Sequence, residues 1–585
     1  MNKQRYHCYL FEAKSIQSYL FRSGKLKEII SSSERLDALI DDNEDSPLYH
    51  TLIQLGIDSN LINKEAEPQD DDSPFVYFTR CKGGALFCYS SKFETIQALR
   101  SLWSLTVSQL FPSLEYVDSI ASDDLLPKAV DKARVALTAD RNQPSQKLPY
   151  ATPLMALCQR TGAIAYPVTN LALKELGQED KPDYLNLDSI LHLEAHSKIK
   201  TKADNRLLAK YSPITEVPLK FPTNLDTEFP FSDQSNKEIA LIHIDGNGMG
   251  LLVQTLQNSL KTFMQNSPLQ ASQRDRVYRE VLRRFSSALC DATQKAAKDA
   301  TYNLIKHFGY DNDFLPIRPL VLGGDDVTCL VRSDLAVGFS LDFCRSFKQH
   351  TNEQLTAIKT HFQSTESLDL SQLPNHLTAS GGIVFQKSGQ PFVTASEFAE
   401  QLCKYSKELT KKEAAEQSIG PAALAYHKLS SVMAANVDNT LSQVLSSILN
   451  GVPIETGCYR FLVEASESNA PSFAQIKELH QTILAPEKDH PITTSKWRKL
   501  LGHLSQTESD NLARTLSLYE KHAQESYMKT LKETFAGFGS TSDEAWWYWP
   551  HPTKENTLQT VISDLIILER YWLSASTQEE SEKCN

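Results

Sequence analysis

Residues 318–331 contain two short apolar runs separated by Gly323-Gly324-Asp325-Asp326. This pattern predicts two antiparallel strands joined by a tight turn. The glycines are expected to adopt the backbone angles of the turn and to leave space beside the chain. Two neighbouring carboxylates repel each other when both are ionised, so a metal cation would stabilise the pair. A solvated hairpin without any ligand has the same local pattern and stays an alternative at this point.

A further acidic residue follows the apolar run 239–244. Asp245 ends this predicted strand, and the glycine-rich turn 246–250 leads into a predicted helix. Free amides at a helix start and in glycine turns can bind phosphate. If the strand lies beside the hairpin, Asp245, Asp325 and Asp326 converge as in a two-metal phosphoryl-transfer site. Such a site needs no protein nucleophile, and the sequence carries no Ser/His/Asp or Cys/His signature.

Two lysines lie on a predicted amphipathic helix over residues 394–409. Lys404 and Lys407 are three residues apart and should therefore face the same side of that helix. From there, one or both could reach triphosphate oxygens. The alternative is that both belong to an ordinary solvated helix face.

The chain contains the order strand, helix, strand, turn, strand, helix, strand twice, which is typical of a ferredoxin-like unit. The hairpin of the first copy has Lys82-Gly83-Gly84-Ala85 in place of an acidic tip, so we predict that this copy is not catalytic. The predicted segments are a first copy over 1–143, a connecting segment with a small helical domain as one option over 144–235, a second copy over 236–429 and a helical domain over 430–585. Beyond Leu429 the pattern predicts an almost wholly helical segment, beginning with a helix over Leu441–Leu449.

Composition restricts the class of protein. A length of 585 residues predicts several units, and the net charge of −12 argues against a broad non-specific nucleic-acid surface. The ten cysteines include no CxxC pair, which favours reduced thiols in a cytosolic protein. We find no signal peptide and no apolar run of the roughly 18 residues that a membrane span requires. A soluble cytoplasmic protein without membrane contact is therefore expected.

Several motifs resemble the polymerase/cyclase palm of the Cas-ten family, the large subunit of type III CRISPR effectors. They are the turn 245–250, the Gly323–Asp326 hairpin and the segment 378–383 (TASGGI). The helix over 399–407 is similar to that of the related GGDEF nucleotide cyclases, with Ser-Lys where those enzymes have Ala-Lys. Residues 12–29 look like the first, degenerate palm of the family.

The resemblance implies an α+β fold of two ferredoxin-like palm domains plus a helical C-terminal domain. It implies the conversion of ATP or other NTPs to cyclic oligonucleotides, often oligoadenylates, as messengers in antiphage defence. Two Mg²⁺ or Mn²⁺ ions would bind at Asp245, Asp325 and Asp326, with Gly246 beside them. Implied partners are NTPs, guide or target RNA and CRISPR-type subunits. The implied nucleotide contacts are Gly246, Asn247, Gly248, Met249, Gly323, Gly324, Ser380, Lys404, Lys407 and, in the first palm, Ser33.

The sequence also departs from that family. It contains no His-Asp dipeptide, so no HD nuclease is expected, and the zinc-binding cysteine cluster of the family is missing. The chain is short for a complex-bound large subunit, which favours a stand-alone or reduced relative, with a homo-oligomer as one option. The main alternative is a scaffold subunit of a CRISPR-type ribonucleoprotein. A templated polymerase is less favoured, because no basic template groove is evident in an acidic chain.

Overall fold

The computed structural model describes most of the chain. The described residues are 5–70, 72–143, 155–176, 182–199, 206–215, 218–309, 313–366, 368–415, 418–429, 441, 446–465, 470–484, 492–506, 509–540, 545–552 and 554–573.

The N-terminal part of the chain forms an α/β unit, which we call the first unit. Its elements are β1 (Tyr6–Lys14), α1 (Ile16–Phe21), α2 (Leu26–Leu39), α3 (Pro47–Leu55), β2 (Asp58–Ser59), β3 (Phe75–Lys82), β4 (Ala85–Ser90), α4 (Phe93–Leu110), β5 (Glu115–Asp123) and α5 (Leu126–Arg141). The strand order is β2-β3-β4-β1-β5, and β1 runs antiparallel to both of its neighbours. Leaving aside the short β2, this is the ferredoxin-like arrangement that the sequence predicted.

A smaller group of elements follows between the two units. It contains β6 (Ala165–Pro167), α6 (Asn170–Glu175), β7 (Tyr184–Asn186), α7 (Leu187–Ile199) and α8 (Arg206–Tyr211). Helix α7 packs on α2, where Ser31 Oγ donates a hydrogen bond to the carbonyl oxygen of His192 at 2.6 Å. Helix α8 reaches the second unit, because the hydroxyl of Tyr211 donates to the carbonyl oxygen of Val321 at 2.8 Å.

The second unit repeats the ferredoxin-like order. Its elements are β8 (Glu238–Asn247), α9 (Met249–Asn266), α10 (Ala271–Phe308), β9 (Ile317–Leu322), β10 (Asp326–Arg332), α11 (Ala336–Glu366), β11 (Thr378–Lys387), α12 (Phe392–Lys412) and β12 (Ala423–Lys428). The strands lie in the order β12-β11-β8-β10-β9. Strand β8 is the central strand and is buried over Ile239–Ile242, so its end is held rigidly between β10 and β11.

The C-terminal part combines helices with short strands. It contains β13 (Ser446–Leu449), β14 (Val452–Glu455), β15 (Arg460–Leu462), α13 (Phe473–Ile483), α14 (Thr494–Ser505), α15 (Ser509–His522), α16 (Glu525–Ala536), β16 (Trp549–Pro550), β17 (Leu558–Gln559) and α17 (Ile562–Leu568), the last continued by a π-helical turn over Glu569–Leu573. Strand β15 extends the sheet of the second unit beyond β12. None of the helices in the described ranges is long and apolar enough to cross a membrane.

The expectation of an almost wholly helical segment beyond Leu429 was wrong in one respect. A helix was predicted over Leu441–Leu449, but Ser446–Leu449 form β13 of a four-stranded sheet in the order β13-β14-β17-β16. The reason is the turn Asn450-Gly451, in which both residues have positive φ, at 51° and 82°. Asn-Gly in this conformation joins two antiparallel strands tightly, and it outweighs the helical character of the flanking leucines.

The two units contact each other through buried polar groups. Gln17 Nε2 on α1 donates to Thr328 Oγ1 on β10 at 3.2 Å. Arg318 on β9 is 1% exposed and pairs with Glu34 on α2 at 3.3 Å. The glycine hairpins of the units also approach each other, since a Cβ on Gly83 would lie 3.5 Å from the amide nitrogen of Gly324. The hairpin of the first unit therefore lies against the acidic hairpin of the second.

A buried carboxylate connects the C-terminal helix to the second sheet. Asp564 on α17 accepts hydrogen bonds from Tyr426 Oη at 2.6 Å and from the amides of Cys458 and Tyr459 at 2.6 Å and 2.9 Å. Replacing Asp564 by alanine should lower the free energy of unfolding by about 3 kcal/mol, because three buried donors lose their acceptor. Denaturant titration measures this, with Glu533→Ala as the control, because Glu533 is an exposed residue of α16. Equal midpoints for the two variants would contradict the expectation.

Candidate functional site

The acidic residues lie together at one end of the second sheet. Asp245, near the end of β8, is directly opposite Asp326 at the start of β10, and Ser380 of β11 is opposite Asp245 on the other side. Directly opposite residues of neighbouring antiparallel strands carry their side chains on the same face. Asp325 precedes β10, and its carbonyl oxygen accepts a hydrogen bond from the amide of Gly246 at 3.1 Å. The structure thus brings the three predicted aspartates, Asp245, Asp325 and Asp326, to one end of the sheet. We call this end the acidic edge.

One glycine of the acidic hairpin, Gly323, is needed for the space beside it and not for unusual backbone angles. Neither Gly323 nor Gly324 has a positive φ, so neither position needs glycine for its backbone angles. At Gly323, a Cβ would lie 1.8 Å from Asp326 Oδ1, so only glycine leaves the carboxylate its place. At Gly324, the space where a Cβ would project is open. The hairpin is therefore built around the Asp326 side chain.

The pKa values of the hairpin carboxyls are raised. Burial raises the pKa of Asp325 to about 7, and the negative charges of Asp245 and Asp326 add to this, while Lys407 and Arg80 oppose it. The pKa of Asp326 is also raised, mainly by burial and further by Asp245. The negative charges of Asp245 and Asp326 lie close to Asp325, and the positive charges of Lys407 and Arg80 offset them only in part. Such a site gains from a bound cation.

Lys407 contacts the acidic edge directly. Its Nζ lies 2.5 Å from Asp245 Oδ2 and 2.9 Å from the carbonyl oxygen of Gly246. Helix α12 reaches this position because it packs on Gly382, where a Cβ would lie 2.2 Å from the carbonyl oxygen of Ala399. Lys404 lies elsewhere on the same helix. Its side chain is 70% exposed and pairs with Glu400 at 2.9 Å.

The glycine turn after β8 forms the start of α9. Gly248 precedes Met249, the first residue of the helix, and has a φ of +81° that favours glycine. A Cβ there would lie 1.9 Å from Ile419 Cδ1, so the turn also packs closely. Asn247 is buried, and its Nδ2 donates to Thr378 Oγ1 at 3.0 Å and to Ser380 Oγ at 2.8 Å. The side chains of Asn247 and Ser380 thus bond to each other inside the protein.

Ser33, the nucleotide contact predicted in the first palm, lies at the interface between the units. It is buried on α2, and its hydroxyl donates to the carbonyl oxygen of Leu320 on β9. Sequence reasoning missed His243, whose Nδ1 lies 3.0 Å from Thr328 Oγ1. The signal was available, because His243 is two residues before Asp245 on a strand and therefore on the same face.

The acidic edge offers suitable donors for a divalent cation. Carboxylate and carbonyl oxygens are the ligands that Mg²⁺ and Mn²⁺ prefer. As the side chains stand, no group of three or more His, Cys, Asp or Glu in the described ranges is arranged to hold a metal. Instead, Asp245 pairs with Lys407, and the Asp325 carboxylate lies against Gly246, 2.8 Å from the position of a Cβ. The residues fit a cation in their chemistry and in their position in the sheet.

Comparison with known families identifies this region. Residues 238–416 match the family model described as Cas10/Cmr2, second palm domain. The chain contains a Cas10/Cmr2 second palm domain. The matched residues run from the start of β8 to just beyond α12 and include the three aspartates and Lys407. The family resemblance predicted from the sequence is confirmed for this palm, and the described fold has the predicted palm and helical parts.

Solved structures similar to the whole chain are distant. A Csm1–Csm4 cassette in complex with cA4 has a TM-score of 0.44 and 12% identity, over 92% of this chain and 70% of that one. The cassette in complex with cA3 has a TM-score of 0.45 and 10% identity, with the same coverage. Csm1 of T. onnurineus has a TM-score of 0.35 and 12% identity, over 70% of this chain and 52% of that one. No curated protein sequence matches the chain.

Proposed function

We propose that this protein is a metal-dependent nucleotidyltransferase that converts ATP or other NTPs to cyclic oligonucleotide messengers in CRISPR-type antiphage defence. The observation that carries the proposal is that Asp245 on β8 lies directly opposite Asp326 on β10, with Asp325 next to Asp326 in the chain. All three residues lie within the Cas10/Cmr2 second palm domain. In the reaction, a 3′-hydroxyl attacks the α-phosphate of a second nucleotide, a phosphodiester bond forms and pyrophosphate leaves.

Each part of the acidic edge has a role in this reaction. Asp245, Asp325 and Asp326 would hold Mg²⁺ or Mn²⁺, with the carbonyl oxygen of Gly246 beside them. When bound, the ions would lower the pKa of the attacking hydroxyl and neutralise the leaving pyrophosphate. The amides at the start of α9, from Gly248 onward, can accept phosphate oxygens, because the first turn of a helix has unpaired N–H groups.

Lys407 is proposed to exchange partners when nucleotide binds. Its ammonium now neutralises Asp245, where a divalent cation would otherwise lie. With Asp245 engaged as a cation ligand, Lys407 would be free to turn toward the phosphates. An ammonium on a flexible stem suits such a movement.

The test of the proposal is incubation of the purified chain with each NTP and Mg²⁺ or Mn²⁺, followed by mass spectrometry. Cyclic or short linear oligonucleotides and pyrophosphate are expected. Absence of any product with all four NTPs, together with copurifying guide RNA, would instead favour the scaffold subunit. Extension of a primer only in the presence of a template would favour the polymerase.

The two lysines of α12 provide a matched pair of variants. Lys407→Gln should lower the rate of product formation by about 10²-fold, because one positive charge that would stabilise the phosphates in the transition state is lost. Lys404→Gln should leave the rate unchanged, since this side chain is exposed and pairs with Glu400. Initial rates at saturating ATP measure both. Similar losses in the two variants would contradict the assignment of Lys407.

A further inference from the structure

Two polar pairs lie one behind the other on the face of the second sheet that carries Asp245 and Asp326. His243 on β8 lies directly opposite Thr328 on β10. Each is two residues along its strand from an aspartate of the acidic edge, so the four side chains share one face. His243 and Thr328 are buried, and His243 Nδ1 lies 3.0 Å from Thr328 Oγ1. A row of polar groups therefore leads from the acidic edge into the interior of the sheet.

The first unit reaches this row through Gln17 of α1, a helix that packs against α12. Gln17 Nε2 donates a hydrogen bond to Thr328 Oγ1 at 3.2 Å. Burial raises the pKa of Asp326, and a hydrogen bond from the Gln17 side chain opposes this effect. An amide nitrogen carries two N–H groups and can serve two acceptors. The Gln17 amide therefore connects the interior pair with a carboxylate of the acidic edge.

The oxygen of the Gln17 amide contributes nothing comparable. Oε1 is buried and accepts no hydrogen bond from the residues that the structure describes. Leaving a buried acceptor unmet is costly, and this cost offsets what the hydrogen bonds from Nε2 contribute to folding. An apolar side chain of similar length would fill the same place without that cost. The stability of the contact between the units therefore does not explain why an amide stands at this position.

The orientation of the Asp326 carboxylate is what the amide can influence. Gly323 leaves the space that Asp326 Oδ1 fills, and the Gln17 amide donates a hydrogen bond to the same carboxylate. A carboxylate that is held in place by such outer partners binds a cation more tightly than one that is free to rotate. Removing an outer partner of this kind typically weakens metal binding by about 10- to 100-fold.

We propose that Gln17 is a positioning residue of the acidic edge, through which the first unit orients the Asp326 carboxylate and sets the affinity of the second palm for a divalent cation. The cation is of the Mg²⁺ or Mn²⁺ class, which carboxylate oxygens bind. The inference rests on the proposed function, because that function makes the acidic edge a cation site. It gives the first unit an effect on the acidic edge that requires no nucleotide. A displacement of α1 from β10 would lower the affinity for the cation.

The test is titration of the full chain with Mn²⁺ in the absence of nucleotide, with free Mn²⁺ measured by electron paramagnetic resonance. Gln17→Met keeps the length of the side chain and removes its hydrogen bonds, so it should raise the Kd for Mn²⁺ about tenfold. Tyr211→Phe is the matched control, because Tyr211 also donates from outside the second unit, but to the backbone carbonyl oxygen of Val321 on β9. Its Kd should be native. A native Kd in Gln17→Met, or equal weakening in the control, would overturn the proposal.

Variants of Thr328 keep the proposal testable if Gln17→Met unfolds the chain. Thr328→Val removes the hydroxyl that accepts from Gln17 and should also raise the Kd for Mn²⁺. Thr328→Ser keeps a hydroxyl at the same place and should bind Mn²⁺ as the native chain does. A native Kd in Thr328→Val would overturn the proposal in that case.

The rate of product formation distinguishes positioning from a general loss of structure. Raising the Mn²⁺ concentration should restore the rate of Gln17→Met to the native value, since this variant lowers only the affinity for the cation. A rate that stays low at saturating Mn²⁺ would overturn the proposal. A native chain that binds no Mn²⁺ would remove both this proposal and the proposed function. Mn²⁺ binding that depends on Gln17 in a chain that forms no product would support the positioning role and remove the proposed function alone.

Discussion

Replacing Asp325 and Asp326 together by alanine is expected to abolish product formation while the chain stays folded. The double variant removes two of the three carboxylates that would hold the cations. Cation stabilisation of the transferred phosphate is worth several kcal/mol, so a loss of about 10³-fold or more is expected. Mass spectrometry of the products of ATP measures it. The control is Asp70→Ala with Asp72→Ala, which removes the same charge from the exposed loop before β3.

The double variant Asp325→Ala with Asp326→Ala is also expected to raise the stability of the fold at alkaline pH. Folding raises the pKa of Asp325 to about 7. A carboxyl of this kind contributes stability that is complete below about pH 4 and is lost as the pH rises toward 7. Without divalent cations at about pH 8, the double variant should therefore melt at a higher temperature than the native chain. A lower melting temperature would show that these carboxyls stabilise the fold, and the loss of product would then need another explanation.

The second large effect is expected at Gly382, which lies under α12. Gly382→Val would place side-chain atoms against the backbone of Ala399 and Cys403, where even a Cβ comes within 2.2 Å and 2.9 Å. Backbone cannot move aside as a flexible side chain can, so a loss of about 3 kcal/mol or more is expected. The helix would also carry Lys407 away from Asp245, and activity should fall in any molecules that still fold.

Gly389→Val is the matched control for this prediction. Gly389 has open space around the position of a Cβ, and its φ is not positive. Chemical denaturation and product formation should be close to native in this variant. A Gly382→Val protein with native stability and native activity would mean that α12 does not need its close approach to β11.

The strands that carry the aspartates could be predicted from local sequence patterns. The apolar run that ends on Asp245 predicted β8, and the Gly323–Asp326 hairpin predicted the start of β10. The two strands are neighbours in the second sheet. Lys407 was predicted as a phosphate contact from the amphipathic helix together with the family resemblance. The same periodicity could not separate it from Lys404, because only the packing of α12 on Gly382 decides which lysine reaches the acidic edge.

Features that depend on contacts between the units were not predictable from local pattern. Arg80 is one arginine in a strand, and its place near the acidic hairpin follows from the position of β3 relative to α10. Ser33 was expected to contact nucleotide, but its placement against Leu320 reflects the packing of α2 on β9. The strand β13 was not predicted although Asn450-Gly451 is a local turn signal, because the apolar residues before this turn also have helical spacing.

The measurement that tests the central proposal most directly is the number of Mn²⁺ ions bound per chain in the presence of a non-hydrolysable ATP analogue, counted by electron paramagnetic resonance. The native chain should bind two ions, and the chain with Asp325→Ala and Asp326→Ala should bind none at this site. Equal Mn²⁺ binding by the two proteins would contradict the assignment of the acidic edge as the site of nucleotidyl transfer.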